Sequence, residues 1–310
     1  MTSAHHAPAL GIDLGGTKIE ALLLDASGVE RWRERVATPQ GDYRATLAAL
    51  ARLVVRGRAA ASGVACSVGV GAPGSVGSGG LVKNANSTCL NGQALQRDLE
   101  ALIGQPVALA NDANCLALSE ATDGAGAGAA VVFAVILGTG VGAGIAVQGR
   151  VLQGPNALAG EWGHNPLPWP RDDERPGALC YCGARGCIET WLAGPALTAD
   201  HLRHGGAALA ASDIGRAAAA GDVACDASLA RHAERLARAL ATVVNLLDPD
   251  VIVLAGGVSR LHRLVERASA AMPAHIFGAC NDPPRLCLAL ARHGDSSGVR
   301  GAAWLGRALA

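Results

Sequence analysis

Apolar positions follow two rhythms along this chain: short runs that read as strands, and spaced leucines and valines that read as helices. Residues 9–13 form an apolar run, Gly15-Gly16-Thr17-Lys18 turns it, and residues 19–24 run back. Residues 31–36 alternate as a third strand, so the chain opens as a hairpin meander. A dinucleotide-binding unit would pass from glycine turn to helix instead. Residues 42–58 have helical spacing, with Leu47, Leu50, Leu53 and Val54 on one face. Residues 65–70 read as a buried strand closed by Gly71-Ala72-Pro73-Gly74, and residues 83–92 as a polar loop. Residues 107–110 are a strand ending at Asn111-Asp112, where a helix over 113–122 begins.

Residues 124–128 contain only alanine and glycine and mark a hinge or boundary. The opening pattern then returns. Residues 131–137 are a strand, Gly138-Thr139-Gly140-Val141-Gly142-Ala143-Gly144 turns it, and residues 145–147 start a return strand. A strand, a Gly-Thr-Gly type turn and a second strand thus occur twice, which predicts an internally duplicated domain. Helices follow at 195–204, 212–220 and 227–247, the last amphipathic through Leu229, Leu236, Leu240, Val243 and Leu247. A strand over 251–254 ends in Ala255-Gly256-Gly257-Val258, and another helix follows it. A strand is expected over 285–290, and a last helix over 296–306 is expected to return to the first domain. The domains so predicted are 1–124, completed by 296–310, and 125–295.

A chain of 310 residues is long enough for two cores. Its 50% hydrophobic content and 41 glycines describe a turn-rich globular chain rather than a disordered one. A net charge of +0 and a pI near 7.1 argue against nucleic acid and against an anionic membrane surface. The longest apolar run, residues 129–137, is too short to span a bilayer, and residues 1–8 lack the apolar centre of a signal peptide. The 9 cysteines are odd in number. Cys66, Cys89, Cys115, Cys225, Cys280 and Cys287 are scattered, as small buried hydrophobes would be in a reducing, cytoplasmic compartment.

Chemistry concentrates in Gly160-Glu161-Trp162-Gly163-His164 and Cys180-Tyr181-Cys182-Gly183-Ala184-Arg185-Gly186-Cys187-Ile188-Glu189. His164, Cys180, Cys182 and Cys187 make a Cys₃His set, the donor chemistry of structural Zn²⁺. Gly183 and Gly186 allow the backbone to fold tightly around an ion. Glu161, His164 and Glu189, carried by that knot within residues 160–189, offer acceptors to a polyol. Trp162 reads as core rather than as a stacking platform.

The two glycine turns offer backbone N–H groups to polyphosphate. Asp13 beside the first would repel phosphate without a divalent ion, so it is a candidate for an Mg²⁺ shell through water, or else a strand-end cap. Asp112, at a strand's carboxyl end and a helix's amino end, is the candidate general base for phosphoryl transfer, with an N-cap as the bland alternative. Asn111 can hydrogen-bond a sugar hydroxyl. Gly71, Lys83, Asn84 and Asn86 are candidates for the other wall of a sugar site, or form a solvated loop.

In this order, Asp13-Leu14-Gly15-Gly16-Thr17, Asn111-Asp112, Gly138-Thr139-Gly140, Glu161-Trp162-Gly163-His164, Cys180-x-Cys182-Gly-x-x-Gly-Cys187-x-Glu189 and Gly256-Gly257 resemble the motifs of the ROK family (repressors, open reading frames, kinases). The resemblance runs from residue 11 to the end of the chain. It implies an α/β fold of the actin-like ATPase type, two duplicated ribonuclease H-like domains with ATP and sugar in the cleft between them. It also implies ATP-dependent phosphorylation of a hexose at its 6-hydroxyl.

By the same resemblance Asp112 is the base, and Asn111, Glu161, His164 and Glu189 bind sugar beside it; Gly71 and Asn86, from the other wall, complete the expected sugar contacts. Gly11-Ile12-Asp13-Leu14-Gly15-Gly16-Thr17-Lys18 and Leu137-Gly138-Thr139-Gly140-Val141-Gly142-Ala143-Gly144 bind the ATP phosphates. Gly256 and Gly257 lie near the adenosine, and His164, Cys180, Cys182 and Cys187 hold zinc.

Four stretches resemble the manno(fructo)kinase branch: residues 83–93 (KNANSTCLNGQ), 109–120, 163–169 (GHNPLPW) and 293–305. The expected substrate is therefore fructose, with mannose second. Cys89 stands where that branch carries tryptophan. Glucose and N-acetylglucosamine are the rival sugars within the family. A sugar-binding repressor is the rival of another class, but ten residues before Gly11 are too few for a helix-turn-helix. The family resemblance and the helix at 227–247 point to a homodimer.

Overall fold

The computed structural model describes residues 7–279, 281–282, 284–285 and 287–308. The chain forms two compact units, Met1–Asp123 with Arg150–Ala159 and Ser296–Ala310, and Gly124–Gly149 with Gly160–Asp295.

In the first unit β1 (Ala9–Leu14), β2 (Lys18–Leu24) and β3 (Glu30–Ala37) form the meander. Asp42 caps α1 (Tyr43–Ala60), its side chain accepting from the Ala45 N–H. β4 (Ser67–Ala72), the short β5 (Ser75–Val76) and β6 (Val82–Lys83), α2 (Leu95–Ile103), β7 (Val107–Asn111) and α3 (Asp112–Thr122) follow. The main sheet runs β3-β2-β1-β4-β7, antiparallel within the meander and parallel from β1 onward. Leu10, Ile12 and Ile19 of the sheet pack with Leu50, Leu53 and Val54 of α1 and Leu95 and Leu99 of α2.

The C-terminal helix, Ser297–Arg307, belongs to this unit and docks at backbone distance. A Cβ at Gly11 would lie 2.1 Å from the Val299 carbonyl oxygen, one at Gly69 1.9 Å from that of Ala302, and one at Gly301 1.7 Å from that of Cys115 on α3. Only glycine permits such approach, so three glycines lock this helix, β1, β4 and α3 together.

In the second unit β8 (Val131–Leu137) and β9 (Val141–Val147) repeat the hairpin. After β10 (Arg150–Val151), which is counted with the first unit, come α4 (Glu189–Leu192), α5 (Gly194–Arg203), α6 (Ala211–Ala219) and α7 (Val223–Leu247). β11 (Val251–Ala255), α8 (Leu264–Ala271) and β12 (Leu288–Leu290) complete it. The order β9-β8-β11-β12, an antiparallel hairpin followed by parallel strands, matches β2-β1-β4-β7 of the first unit. Phe133, Val135 and Leu137 pack against Leu236, Leu240 and Val243 of α7. Trp162 is core: it meets Phe133 edge-on at 5.8 Å and donates to the Ala239 carbonyl at 3.3 Å.

Several expectations change. The second glycine turn is shorter than its composition suggests, because Val141, Gly142, Ala143 and Gly144 pair with β8 inside β9. Helix α7 starts at Val223, because Asp222 caps it through the Cys225 N–H at 2.8 Å. Helix α2 falls between the loop at 83–92 and the strand at 107–110, where no element was expected, and the strand expected over 285–290 is confined to Leu288–Leu290. Residues 150–159 fall with the first unit, where the Lys83 ammonium donates to the Asn156 carbonyl at 3.1 Å. Cys66, Cys115 and Cys225 are buried and Cys89 is half-buried, but Cys287 is exposed, in the irregular segment ahead of β12. Cys280 lies outside the described residues. Among the described residues no helix is long and apolar enough to cross a membrane.

Candidate functional site

The candidate residues of the first unit gather where β1, β4 and β7 end. The first turn is held from its carbonyl side: Gly15 O accepts from the Thr38 hydroxyl at 2.7 Å, and Thr17 O from the Thr38 N–H at 3.0 Å. Lys18 has already joined β2. Asp13 follows the buried run Gly11-Ile12 and precedes Leu14. Burial first, then the charges of Asp112 and Glu20, push the Asp13 carboxyl up to about 7, against the pull of Lys18. Gly71 is buried beside it, with its missing Cβ 3.1 Å from the Cys115 sulfur and 3.7 Å from Asp13 Oδ1. Gly298, at the start of the C-terminal helix, stands 3.2 Å from Asp13 Oδ2 by the same measure.

Asn111 is the cap of α3. Its Oδ1 accepts from the Ala113 N–H at 2.8 Å and its Nδ2 donates to the Gly74 carbonyl at 2.9 Å. Capping therefore falls to Asn111, and Asp112 sits one residue inside, on the first turn, with Oδ1 2.8 Å from the Ala113 nitrogen. Lys83 and Asn84 line an open hollow of about 720 Å³ with Gly77, Ser78, Asn91 and Gly92. Asn86 is exposed on the same loop.

In the second unit, Glu161 to His164 make one 3₁₀ turn. Gly160 precedes it at φ +92°, and a Cβ there would meet the Ala143 carbonyl oxygen at 2.3 Å, so the turn rests directly on β9. The cysteine loop folds back on itself: Cys180 N–H donates to Ala184 O at 2.8 Å, and Gly183 N–H to Cys180 O at 3.0 Å. Gly183 (φ +93°) and Gly186 (φ +71°) supply the left-handed conformations this requires.

The His164 Nδ1 lies 3.5 Å from the Cys180 sulfur, Cys182 and Cys187 sulfurs are 3.6 Å apart, and all four donor atoms fall within 4.8 Å of one another. Zinc bonds of about 2.3 Å to sulfur and about 2.0 Å to nitrogen give tetrahedral edges of roughly 3.5–3.8 Å. The donor set and its spacing therefore fit zinc. Burial, then Cys182 and Cys180 nearby, push the Cys187 thiol up to about 12, while the Ala184 N–H lowers that of Cys182. A divalent ion at the centre favours the thiolates instead.

Two neighbours escaped the sequence reading. The His164 Nε2, the ring nitrogen on the far side from Cys180, stands 2.9 Å from the Tyr181 hydroxyl and 4.0 Å from Glu161 Oε2. The other is a link from the knot to the second glycine turn. Glu189 Oε2 accepts from the Val141 N–H at 2.8 Å, and a Cβ on Gly140 would lie 2.7 Å from that oxygen. Gly194 N–H donates to Gly138 O at 2.8 Å. Gly256 (φ +83°) completes the group, with its missing Cβ 2.3 Å from the Leu137 carbonyl oxygen. Leu137, Gly138, Gly140, Glu189 and Gly256 are thus brought together, whereas Gly257 has open space where its Cβ would be. No sequence spacing announces either contact.

The ROK family model matches residues 9–308. The N-acetyl-D-glucosamine kinase of Yersinia pseudotuberculosis serotype O:1b is 39% identical over 299 residues, covering 95% of this chain and 97% of that protein. The crystal structure of a ROK hexokinase from Thermus thermophilus superposes with a TM-score of 0.84 at 32% identity, over 96% of this chain and 97% of that one. A ROK family glucokinase from Streptomyces griseus, solved with glucose and AMPPNP, gives 0.79 at 28% identity, over 97% and 100%.

Proposed function

The chain belongs to the ROK family, and on that premise we propose that it is an ATP-dependent kinase acting on the 6-hydroxyl of a hexose. Its two sheet domains carry the actin-like ATPase fold. The observation that carries the reading is Asp112 on the first turn of α3, where Asn111 does the capping. In this role Asp112 orients the sugar hydroxyl and accepts its proton as the oxygen attacks the γ-phosphorus and the bond to ADP breaks. Asn111 fixes the helix end that carries Asp112. Glu161, His164 and Glu189 take sugar hydroxyls, and backbone N–H groups of the two glycine turns take phosphate oxygens.

Asp13 suits a magnesium ion, since its crowding by Asp112 and Glu20 is the kind that a divalent cation relieves. Magnesium neutralises phosphate charge. His164, Cys180, Cys182 and Cys187 would hold zinc, which fixes the fold of the knot.

The named relatives act on N-acetylglucosamine, a hexose and glucose. They favour N-acetylglucosamine or glucose as substrate over the fructose expected from residues 83–93. Fructose remains the second reading, supported by that loop and by residues 163–169. A coupled assay of ATP consumption with N-acetylglucosamine, glucose, mannose and fructose, each with Mg²⁺, separates them. The highest kcat/KM with N-acetylglucosamine or glucose upholds the first reading, and the highest with fructose replaces it with the second. Turnover of none overturns the kinase.

A further inference from the structure

Beneath the knot lies a buried ionic cluster that the proposed chemistry leaves without a task. Arg235 and Arg238 project from α7, and their side chains are 3% and 2% exposed. Glu174 and Asp200, their acidic partners, are equally enclosed. Buried ion pairs add little net stability over apolar residues of similar size, so stability alone is a poor account of four such groups.

The placement of their hydrogen bonds is more informative. Arg238 donates from Nη1 to the Trp169 carbonyl at 2.6 Å and the Pro168 carbonyl at 3.2 Å. Its Nη2 reaches both Glu174 oxygens, at 2.8 and 2.9 Å, and its Nε reaches Glu234 at 3.1 Å. All of Pro168, Trp169 and Glu174 lie in the connection from His164 to Cys180, whose regular structure is limited to a short 3₁₀ turn at Asp172–Glu174. That turn closes on itself through Glu174 Oε2, which accepts from the Arg171 N–H at 2.9 Å.

Arg235 grips the other arm. Its Nε donates to Glu174 Oε1 at 2.7 Å and its Nη1 to Asp200 Oδ1 at 2.7 Å. Its guanidinium lies over the Trp191 ring, 4.8 Å from the centroid. Trp191 is on α4, directly after Cys187 and Glu189. Burial opposes ionisation of Glu174, but hydrogen bonds from Arg238 and Arg235 hold its carboxyl down at about 2, so the cluster is ionic at neutral pH.

We propose that Arg235 and Arg238 are positioning residues: from one face of α7 they fix the chain segments on both sides of the cysteine loop, and through them the zinc ligands and Glu189. The proposal rests on the kinase reading for the role of Glu189 and on the zinc reading for the ligands. Arg suits the task because its planar fork holds two partners at set angles, which Lys cannot do.

The test uses the zinc-loaded, full-length protein and three variants, Arg238→Met, Arg238→Lys and Glu174→Gln. Zinc release to a chelating dye, melting temperature, and KM and kcat for the preferred hexose are measured on each. Groups hydrogen-bonded directly to metal ligands change metal affinity by about 10–100-fold, and Arg238, which acts one step further out through residues 168–174, is set at the lower end. Release should therefore quicken about 10-fold in Arg238→Met, and Arg238→Lys should not restore it. KM should rise on the order of 10-fold while kcat stays near wild type, as expected when uniform binding is lost. Should Arg238→Met fail to fold, Glu174→Gln, which keeps shape and loses charge, must show the same release and KM shifts. A lower melting temperature with wild-type zinc release and KM would mean a merely structural role and overturn the proposal. A zinc-bearing wild type with no kinase activity and unchanged release in the variants sinks both readings separately. A wild type that carries no zinc overturns the positioning proposal together with the zinc assignment, and leaves the kinase reading standing.

Discussion

The two units hold their candidate residues by opposite means. In the first, Asp13, Asn111 and Asp112 sit at the ends of regular elements, and those elements are keyed together by glycines. Gly11, Gly69 and Gly301 let the C-terminal helix touch two strands and α3 with no side chain between. In the second, Glu161 and His164 sit on a single 3₁₀ turn and Glu189 opens the one-turn helix α4, elements too short to hold themselves. There the order comes from side chains: four donor atoms within 4.8 Å of one another, and a buried cluster of Arg235, Arg238, Glu174 and Asp200. Backbone keying positions a group through steric fit, which resists pH and chelators. Side-chain clamping positions it through charge and, under the proposed zinc assignment, through metal, which respond to both.

Asp112→Ala should widen this contrast most. Its capping work belongs to Asn111, so the melting temperature should hold within a few degrees while kcat falls by about 10²–10⁴-fold. Near-normal turnover in a steady-state assay would remove Asp112 from its role. Cys182→Ser strikes the other region. It should abolish stoichiometric zinc by atomic absorption, lower the melting temperature, and raise KM for the sugar with a smaller change in kcat. Unchanged zinc content would discredit the ligand set.

The smallest effect is in pH. His232 on α7 is fully buried, with neither ring nitrogen hydrogen-bonded, and burial pulls its pKa from 6.5 to about 4. The unfolded chain therefore takes up a proton below pH 6.5 that the folded chain refuses until about pH 4. Stability falls with falling pH across that window, by up to about 3 kcal/mol. Asp13 leans the other way. Its raised pKa, about 7 against 3.8, makes the folded form the better proton binder, so stability is lost as pH rises through the same range. Because the two contributions oppose each other between about pH 4 and 6.5, melting curves should fall with rising pH in His232→Leu, where only the Asp13 term remains, and climb with rising pH in Asp13→Asn, where only the His232 term remains. Parallel curves for all three proteins would contradict both assignments.

Much of the first region was legible because its signals are local. A glycine turn between two apolar runs, or an Asn-Asp pair between a strand and a helix, declares itself within a few residues. The repeat was legible for the same reason, as was the Cys₃His set, whose cysteines span 180–187. Helix α2 was not, although Leu95, Leu99 and Ile103 share one face, since Ala94 offers no capping side chain and its 9 residues are a short window for periodicity. The clamp under the knot was invisible: Glu174 meets Arg235 and Arg238 across 61 and 64 residues of chain, and no periodicity ties an acid in a loop to bases on a distant helix. Asn111 shows a third kind of loss. Its type fits a sugar ligand, and only coordinates reveal that one of its amide hydrogens also ties β7 to Gly74.

The bond from Val141 N–H to Glu189 Oε2 carries a thermodynamic consequence. Under the proposed roles, one carboxylate answers both to the sugar and to the turn that receives phosphate. Whatever a bound sugar does to that oxygen alters the turn, so the two substrates cannot bind independently. Linkage makes the effect reciprocal: the factor by which sugar changes the affinity for nucleotide equals the factor by which nucleotide changes the affinity for sugar. A single hydrogen bond of 2.8 Å would thus make the protein a sensor of paired occupancy, distinguishing a full complement of substrates from either one alone.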